Sequence, residues 1–150
     1  MAWVTKELIQ DELSYSISAT TKPTTEATTA IIASIEATCR GVLNSLKVDA
    51  SSIDETGTPE CFLIVQQWAL FGVCARVIAS AGGLIRSSTG KEKDYWQKFN
   101  QTWGAIKESP SMLGDDAPFY TSDENIISPD GLVSTDSDYD APEFTIGMEF

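Results

Sequence analysis

The side chains best suited to covalent chemistry are three cysteines, Cys39, Cys61 and Cys74, in a chain of 150 residues that contains no histidine. The chain therefore lacks the commonest general base and the commonest zinc ligand, and a Ser–His or Cys–His nucleophile is impossible. Cys61 and Cys74 would lie roughly 20 Å apart on one helix, too far for a disulfide. We expect three small core thiols in a protein from a reducing environment, and no enzyme.

Two segments superficially resemble ligand-binding loops. Residues 83–91, GLIRSSTGK, place six residues between the glycines and an acidic residue after the lysine, whereas a phosphate-binding loop has four and then Ser or Thr. Residues 136–140 carry Asp at alternate positions, as the start of a calcium loop does. In that alignment, Ala141 stands at the sixth position of the loop, which requires Gly, and Gly147 stands at the twelfth, which requires Glu. We therefore expect no cofactor and no metal.

One long apolar segment is predicted to be the element around which the rest of the chain packs. Thr58 is a good N-cap, Pro59 suits the first helical position, and Gly82 can supply the left-handed residue that ends a helix. The roughly six turns in between are apolar almost all the way round. A helix with so little polar surface is usually buried among other helices.

A membrane span is the competing interpretation of this segment, because about 20 apolar residues suffice to cross a bilayer. However, Gln66, Gln67 and Arg76 fall inside it, and an arginine at mid-bilayer is costly. No basic cluster flanks the segment to set an orientation. We expect no membrane association.

Three further helices are predicted from caps and apolar periodicity. A short one follows Thr5, a second spans residues 26–46 after a Thr24 or Thr25 cap, and a third begins near Gly90 and ends before Pro110. The apolar side chains expected to face the core are Leu8, Ile9, Leu13, Ile31, Ile35, Cys39, Val42, Leu46, Tyr95, Phe99, Trp103 and Ile106. The predicted fold class is all-α, a small helical bundle around one long apolar central helix, with an extended irregular C-terminal arm.

The arm is set apart by its charge. Of the 10 basic and 22 acidic residues that give the net charge of −12, residues 1–109 hold 10 basic and 12 acidic ones, and residues 110–150 hold 10 acidic ones and no basic one. We therefore divide the chain into a helical domain, 1–109, and an acidic C-terminal arm, 110–150. Tight binding of nucleic acid is disfavoured, because it requires clustered Lys and Arg.

The arm shows no helical or strand period over its length, and its net charge and proline content are typical of disorder in isolation. Yet apolar side chains recur in it, which a purely solvating tail would not need. We predict that the arm becomes ordered against a partner. The candidate partner-binding residues are Trp3, Phe119, Tyr120, Tyr139, Phe144, Ile146, Met148 and Phe150.

One arrangement of segments points to a known family. It consists of residues 18–24, SATTKPT, an Ile-rich helix, the long apolar helix and a final helix rich in Tyr, Trp and Phe. In this order the chain resembles, over about residues 3–108, the head-tail adaptor (head-tail connector) proteins of tailed bacteriophages. The resemblance depends on a pattern of helices and the ATTKPT entry, and not on a catalytic motif.

The resemblance implies a small α-helical bundle that assembles as a dodecameric ring beneath the portal protein in the virion neck, after synthesis in the bacterial cytoplasm. Such rings extend the DNA channel, through which DNA passes without specific binding, and they offer a docking surface to tail or neck proteins such as the stopper and tail terminator. Adaptors of this kind often bind the portal through a C-terminal extension. Residues 110–150 correspond to that extension in their position in the chain.

A second hypothesis is an acidic regulatory interaction module, a nucleic-acid mimic or inhibitor that binds a basic protein. Its binding would weaken steeply with added salt, because it would depend on exposed charges. An enzyme is disfavoured, since the paired carboxylates of the arm have no evident pocket to shift their pKa values.

Overall fold

Four α-helices form the body of the protein in the computed structural model, which describes residues 1–85 and 90–120. The helices are α1, Lys6–Leu13; α2, Thr25–Ser45; α3, Pro59–Ala81; and α4, Lys91–Glu108. Two short 3₁₀ helices cover Ala50–Ser52 and Pro110–Leu113. Within the described ranges there is no β-strand, only an isolated antiparallel bridge between Val48 and Phe119. The predicted all-α class is confirmed.

Helix α3 is the central element, as predicted, and α1, α2 and α4 all pack against it. It begins with Pro59 in its first turn and ends at Gly82, whose φ of 58° is left-handed. By length and composition α3 could cross a membrane, but 67% of its most apolar window is buried within the protein. That degree of burial is typical of the core helix of a bundle.

Helix α3 makes a close contact with its neighbours at Gly72. A Cβ at this position would lie 2.9 Å from the Phe99 ring of α4 and 3.0 Å from Cγ2 of Ile35 on α2. One turn earlier, Trp68 stacks on Phe99 at 5.5 Å between ring centroids and donates its indole N–H to the Phe99 carbonyl at 3.2 Å. The missing side chain thus lets three helices meet at one level of the core.

The predicted N-caps of the first two helices are confirmed. Thr5 accepts a hydrogen bond from the Leu8 amide at 3.4 Å, and Thr24 accepts one from the Ala27 amide at 3.2 Å. The Thr58 side chain does not cap α3. Its hydroxyl instead accepts from the Asp54 amide and donates to the Asp54 carbonyl, at 3.0 and 3.1 Å.

The compact helical unit runs from Met1 to Phe119, past the boundary that the sequence suggested at residue 109. Leu113 of the second 3₁₀ helix is fully buried. Asp116 caps α3, and Phe119 pairs with Val48. The charge pattern placed residues 110–119 in the arm, but these contacts make them part of the helical unit.

Candidate interaction surface

The predicted partner-binding residues fall into three groups in the structure. Phe119 and Tyr120 are exposed, with 42% and 48% of their surface accessible. Tyr139, Phe144, Ile146, Met148 and Phe150 lie outside the described residues, as do the aspartates of the rejected calcium loop. Trp3 is only 1% exposed and belongs to the core. A side chain so buried cannot contact a partner from this position, so Trp3 is not part of the candidate surface.

A buried carboxylate explains the position of Trp3. Glu36 of α2 is 6% exposed and accepts the backbone N–H groups of Trp3 and Val4 at 2.6 and 2.8 Å. Gln66 of α3 donates its side-chain amide to the Trp3 carbonyl at 2.7 Å. The N-terminal segment is therefore fixed to both long helices through its backbone.

Arg40 completes this anchor. Its guanidinium lies 4.1 Å from the centroid of the Trp3 ring, a cation–π distance, and 3.7 Å from the Glu36 carboxylate. It also donates to the carbonyls of Met1 and Ala50, at 2.6 and 3.3 Å. Because the guanidinium is planar and carries several N–H donors, one side chain can serve all these contacts at once.

The exposed pair Phe119–Tyr120 follows a backbone attachment to the helical unit. The Asp49 amide donates to the Pro118 carbonyl at 2.8 Å, next to the Val48–Phe119 bridge. The position of Phe119 is thus set by the loop that follows α2.

Asp116 provides the second attachment, at the N-terminus of α3. Its carboxylate accepts the amide N–H of Glu60 at 2.8 Å and that of Cys61 at 2.9 Å. Two otherwise unpaired helical N–H groups are thereby satisfied, and a negative charge sits at the positive end of the helix. The local sequence gave no indication of this cap, which comes from the other end of the helical unit.

An apolar groove lies between α3 and α4. Its volume is about 280 Å³, and it is lined by Leu63, Ile64, Gln67, Trp68, Phe71 and Thr102. Leu63 is 62% exposed, which is unusual for a leucine on the most apolar helix of the chain. Periodicity alone did not identify this groove, because it placed the apolar residues of α3 and α4 in one common core.

Trp103 of α4 departs from the prediction as well. Tyr95, Phe99 and Ile106 are buried as expected, but Trp103 is 38% exposed. On a helix of 100° per residue, Trp103 lies about 60° around the axis from Ile106. It therefore sits at the edge of the face that meets α3.

A titratable pair links α4 to α1. Tyr95 of α4 donates its hydroxyl to the Glu12 carboxylate of α1 at 2.8 Å, which joins two helices. Burial and this hydrogen bond raise the Tyr95 pKa above its usual range. No three His, Cys, Asp or Glu side chains lie together as a metal site within residues 1–85 and 90–120.

The three cysteines are buried, and their pKa values rise accordingly. Burial raises the pKa of Cys39 and of Cys74 to about 12, with a smaller contribution from nearby carboxylates. For Cys61, burial and then the Asp116 charge raise the pKa to about 11. All three therefore remain neutral thiols at neutral pH, poor as nucleophiles and as metal ligands.

We expect the native protein to react slowly with iodoacetamide at pH 8, and the urea-unfolded protein to be alkylated at all three thiols.

The raised thiol pKa values also predict how stability depends on pH. Unfolded thiols ionise near pH 9.0 and the folded ones do not, so the unfolded state binds fewer protons above that pH. Stability should therefore fall as the pH rises from about 9 to about 12. Mass spectrometry of alkylated protein and urea midpoints at pH 8 and pH 10.5 test both expectations. A thiol that is alkylated quickly in the native state would contradict the burial.

Comparison of the chain with protein-family models, with curated proteins and with solved structures found no match. A functional interpretation therefore depends on the residues of this chain. Among those that the structure describes are the exposed aromatic residues Phe119 and Tyr120, an apolar groove and three neutral buried thiols.

Proposed function

We propose that this chain is a structural virion protein, a head-tail adaptor of a tailed bacteriophage that forms a ring between the portal protein and the tail. The observation that carries the proposal is the order of the helices, in which a long apolar α3 follows the SATTKPT segment and α2 and is covered by an aromatic α4. This is the arrangement on which the resemblance to adaptor proteins depends. In this proposal the ring extends the DNA channel and offers the docking surface for tail or neck proteins.

The character of the surface supports an assembly protein rather than an enzyme. The described residues combine exposed apolar side chains with thiols whose raised pKa values keep them unreactive. Exposed aromatic residues such as Phe119 and Tyr120 are the kind that supply binding energy at protein interfaces. We assign this pair, together with the apolar residues of 139–150, to contacts with the portal, the tail proteins or neighbouring copies.

Charge and burial support the other parts of the proposal. A net charge of −12 would repel DNA phosphates and let DNA slide through the channel without being held. Because α3 is buried among the other helices, the proposed function does not require a membrane. In this proposal the protein is made in the host cytoplasm and acts in the virion neck.

The proposal predicts that the full-length chain adds a stoichiometric ring to the portal ring encoded by the same phage genome. Replacing the exposed pair, Phe119→Ser with Tyr120→Ser, should weaken this addition by about tenfold or more, as the loss of an aromatic anchor does at other interfaces. Native mass spectrometry of the mixture measures both.

A matched control is Leu84→Ser, which removes another exposed apolar side chain, 60% accessible, just after the C-terminal end of α3. It should leave ring addition unchanged. If the wild-type chain adds nothing to the portal ring, the adaptor proposal is wrong.

The acidic module remains the second candidate, because residues 110–150 hold 10 acidic residues and no basic one. Binding to a basic protein would then weaken by orders of magnitude between low and high salt. Portal addition by apolar anchors should change little over the same range. A salt titration of the bound fraction distinguishes the two functions.

A further inference from the structure

The groove between α3 and α4 has the size and polarity of a site for side chains. Its about 280 Å³ lies below the roughly 300–1,000 Å³ of sites that take drug-sized molecules. Ile64, Trp68 and Phe71 contribute apolar surface to it, and Leu63 stands at its edge with 62% of its surface exposed. An occupant should therefore present a few apolar side chains in a row.

One end of the groove is positively charged. Lys98 of α4 holds its ammonium group 5.4 Å from the ring centroids of both Phe71 and Tyr95. Lys91 lies beside it, with Asp94 as the opposing charge in the same depression. An apolar segment that carries acidic residues would match this combination of an apolar floor and a cationic end.

The chain itself contains such a segment at residues 144–150, FTIGMEF. Phe144, Ile146, Met148 and Phe150 occupy every second position. In an extended chain, alternate side chains lie on one face at about 6.6–6.8 Å intervals, two residues of about 3.3–3.4 Å each. Acidic residues lie before and within the segment, and there is no basic residue in 110–150 to oppose Lys98.

We propose that the groove between α3 and α4 binds residues 144–150 of a second copy of this chain. The inference builds on the proposed function, because a ring requires two different, complementary faces on each subunit. The groove supplies one face and the apolar segment of the next copy supplies the other. The contact is head-to-tail, so every copy gives one segment and receives one.

Sedimentation equilibrium of the full-length chain over a concentration series tests this contact. We expect association that Leu63→Glu weakens about tenfold or more, because a carboxylate then stands on the apolar groove. The triple variant Phe144→Ser, Ile146→Ser and Met148→Ser should weaken it equally. Leu63 is mostly exposed, so its replacement leaves the core intact, and Leu84→Glu, at a similarly exposed leucine just after the end of α3, is the matched control.

A mixture of the two defective proteins gives the sharpest result. The Leu63→Glu protein retains its segment and the triple variant retains its groove, so the mixture should form a 1:1 dimer that does not grow further. Thr145→Ala, which alters the opposite face of the segment, should associate as the wild type does.

The inference would be overturned by a wild-type chain that stays monomeric over the whole series, or by Leu63→Glu protein that associates normally. It would be overturned as well by a mixture that forms no dimer, as expected if each segment binds its own groove. These results are separate from portal binding. A chain that is monomeric but still adds to the portal ring would contradict the proposed contact between copies. It would not contradict the proposed function.

Discussion

A chain that ends at Ser109 will unfold at a markedly lower urea concentration than one that ends at Tyr120. Leu113 is fully buried, and losing a buried leucine side chain typically costs about 2–5 kcal/mol. Asp116 accepts two N–H groups at the start of α3, and the loss of such a cap costs about 1 kcal/mol or more. Together these losses are comparable to the lower end of the stability of a small domain, about 5–15 kcal/mol. Circular dichroism at 222 nm during urea titration measures the difference.

Single substitutions separate the two contributions to this prediction. Leu113→Ala should account for most of the loss and Asp116→Ala for a smaller part, while Asp116→Asn, which keeps an acceptor oxygen, should be milder. The chain ending at Tyr120 serves as the control, and its midpoint should match that of the full-length protein. Equal midpoints for the chains ending at 109 and at 120 would show that residues 110–119 contribute nothing to the folded unit.

Replacing Glu36 with alanine should have an effect of similar size. The substitution leaves the Trp3 and Val4 amides buried without an acceptor, and each such group costs about 1–3 kcal/mol. The Arg40 guanidinium also loses its carboxylate partner at 3.7 Å. Urea midpoints, with tryptophan fluorescence to follow the environment of Trp3, measure the outcome.

Two further variants make the Glu36 result specific. Glu36→Gln keeps one acceptor oxygen and should recover part of the lost stability. Glu55→Ala removes an exposed carboxylate from the loop before α3 and should change stability by less than about 0.5 kcal/mol. A Glu36→Ala protein as stable as the wild type would mean that the N-terminal segment contributes little to the fold.

The helices could be predicted from the sequence because their signals are local. Pro59 and Gly82 mark the two ends of α3, and both lie within a turn of the feature they determine. Caps at Thr5 and Thr24 are equally local, since the bonded amides lie three residues further on. Such signals need no knowledge of the tertiary structure.

The features that the sequence did not predict depend on residues far apart in the chain. Asp116 caps α3 from 56 residues beyond Glu60, and no local pattern marks it as a cap. Trp3 looks like an accessible aromatic near the N-terminus until Glu36, 33 residues away, is known to hold its backbone. The groove is equally non-local, because the crossing of α3 and α4 determines which apolar side chains remain uncovered.

The attachment of residues 116–119 has a mechanical consequence. Any tension on the chain beyond Tyr120 passes first to the pairing of Phe119 and Pro118 with the loop after α2, and then to the Asp116 contacts at the start of α3. The pull therefore reaches two parts of the core. A protein attached through its C-terminal residues would in this way transmit force to its most buried helix, and its resistance to detachment would be limited by the strength of the fold.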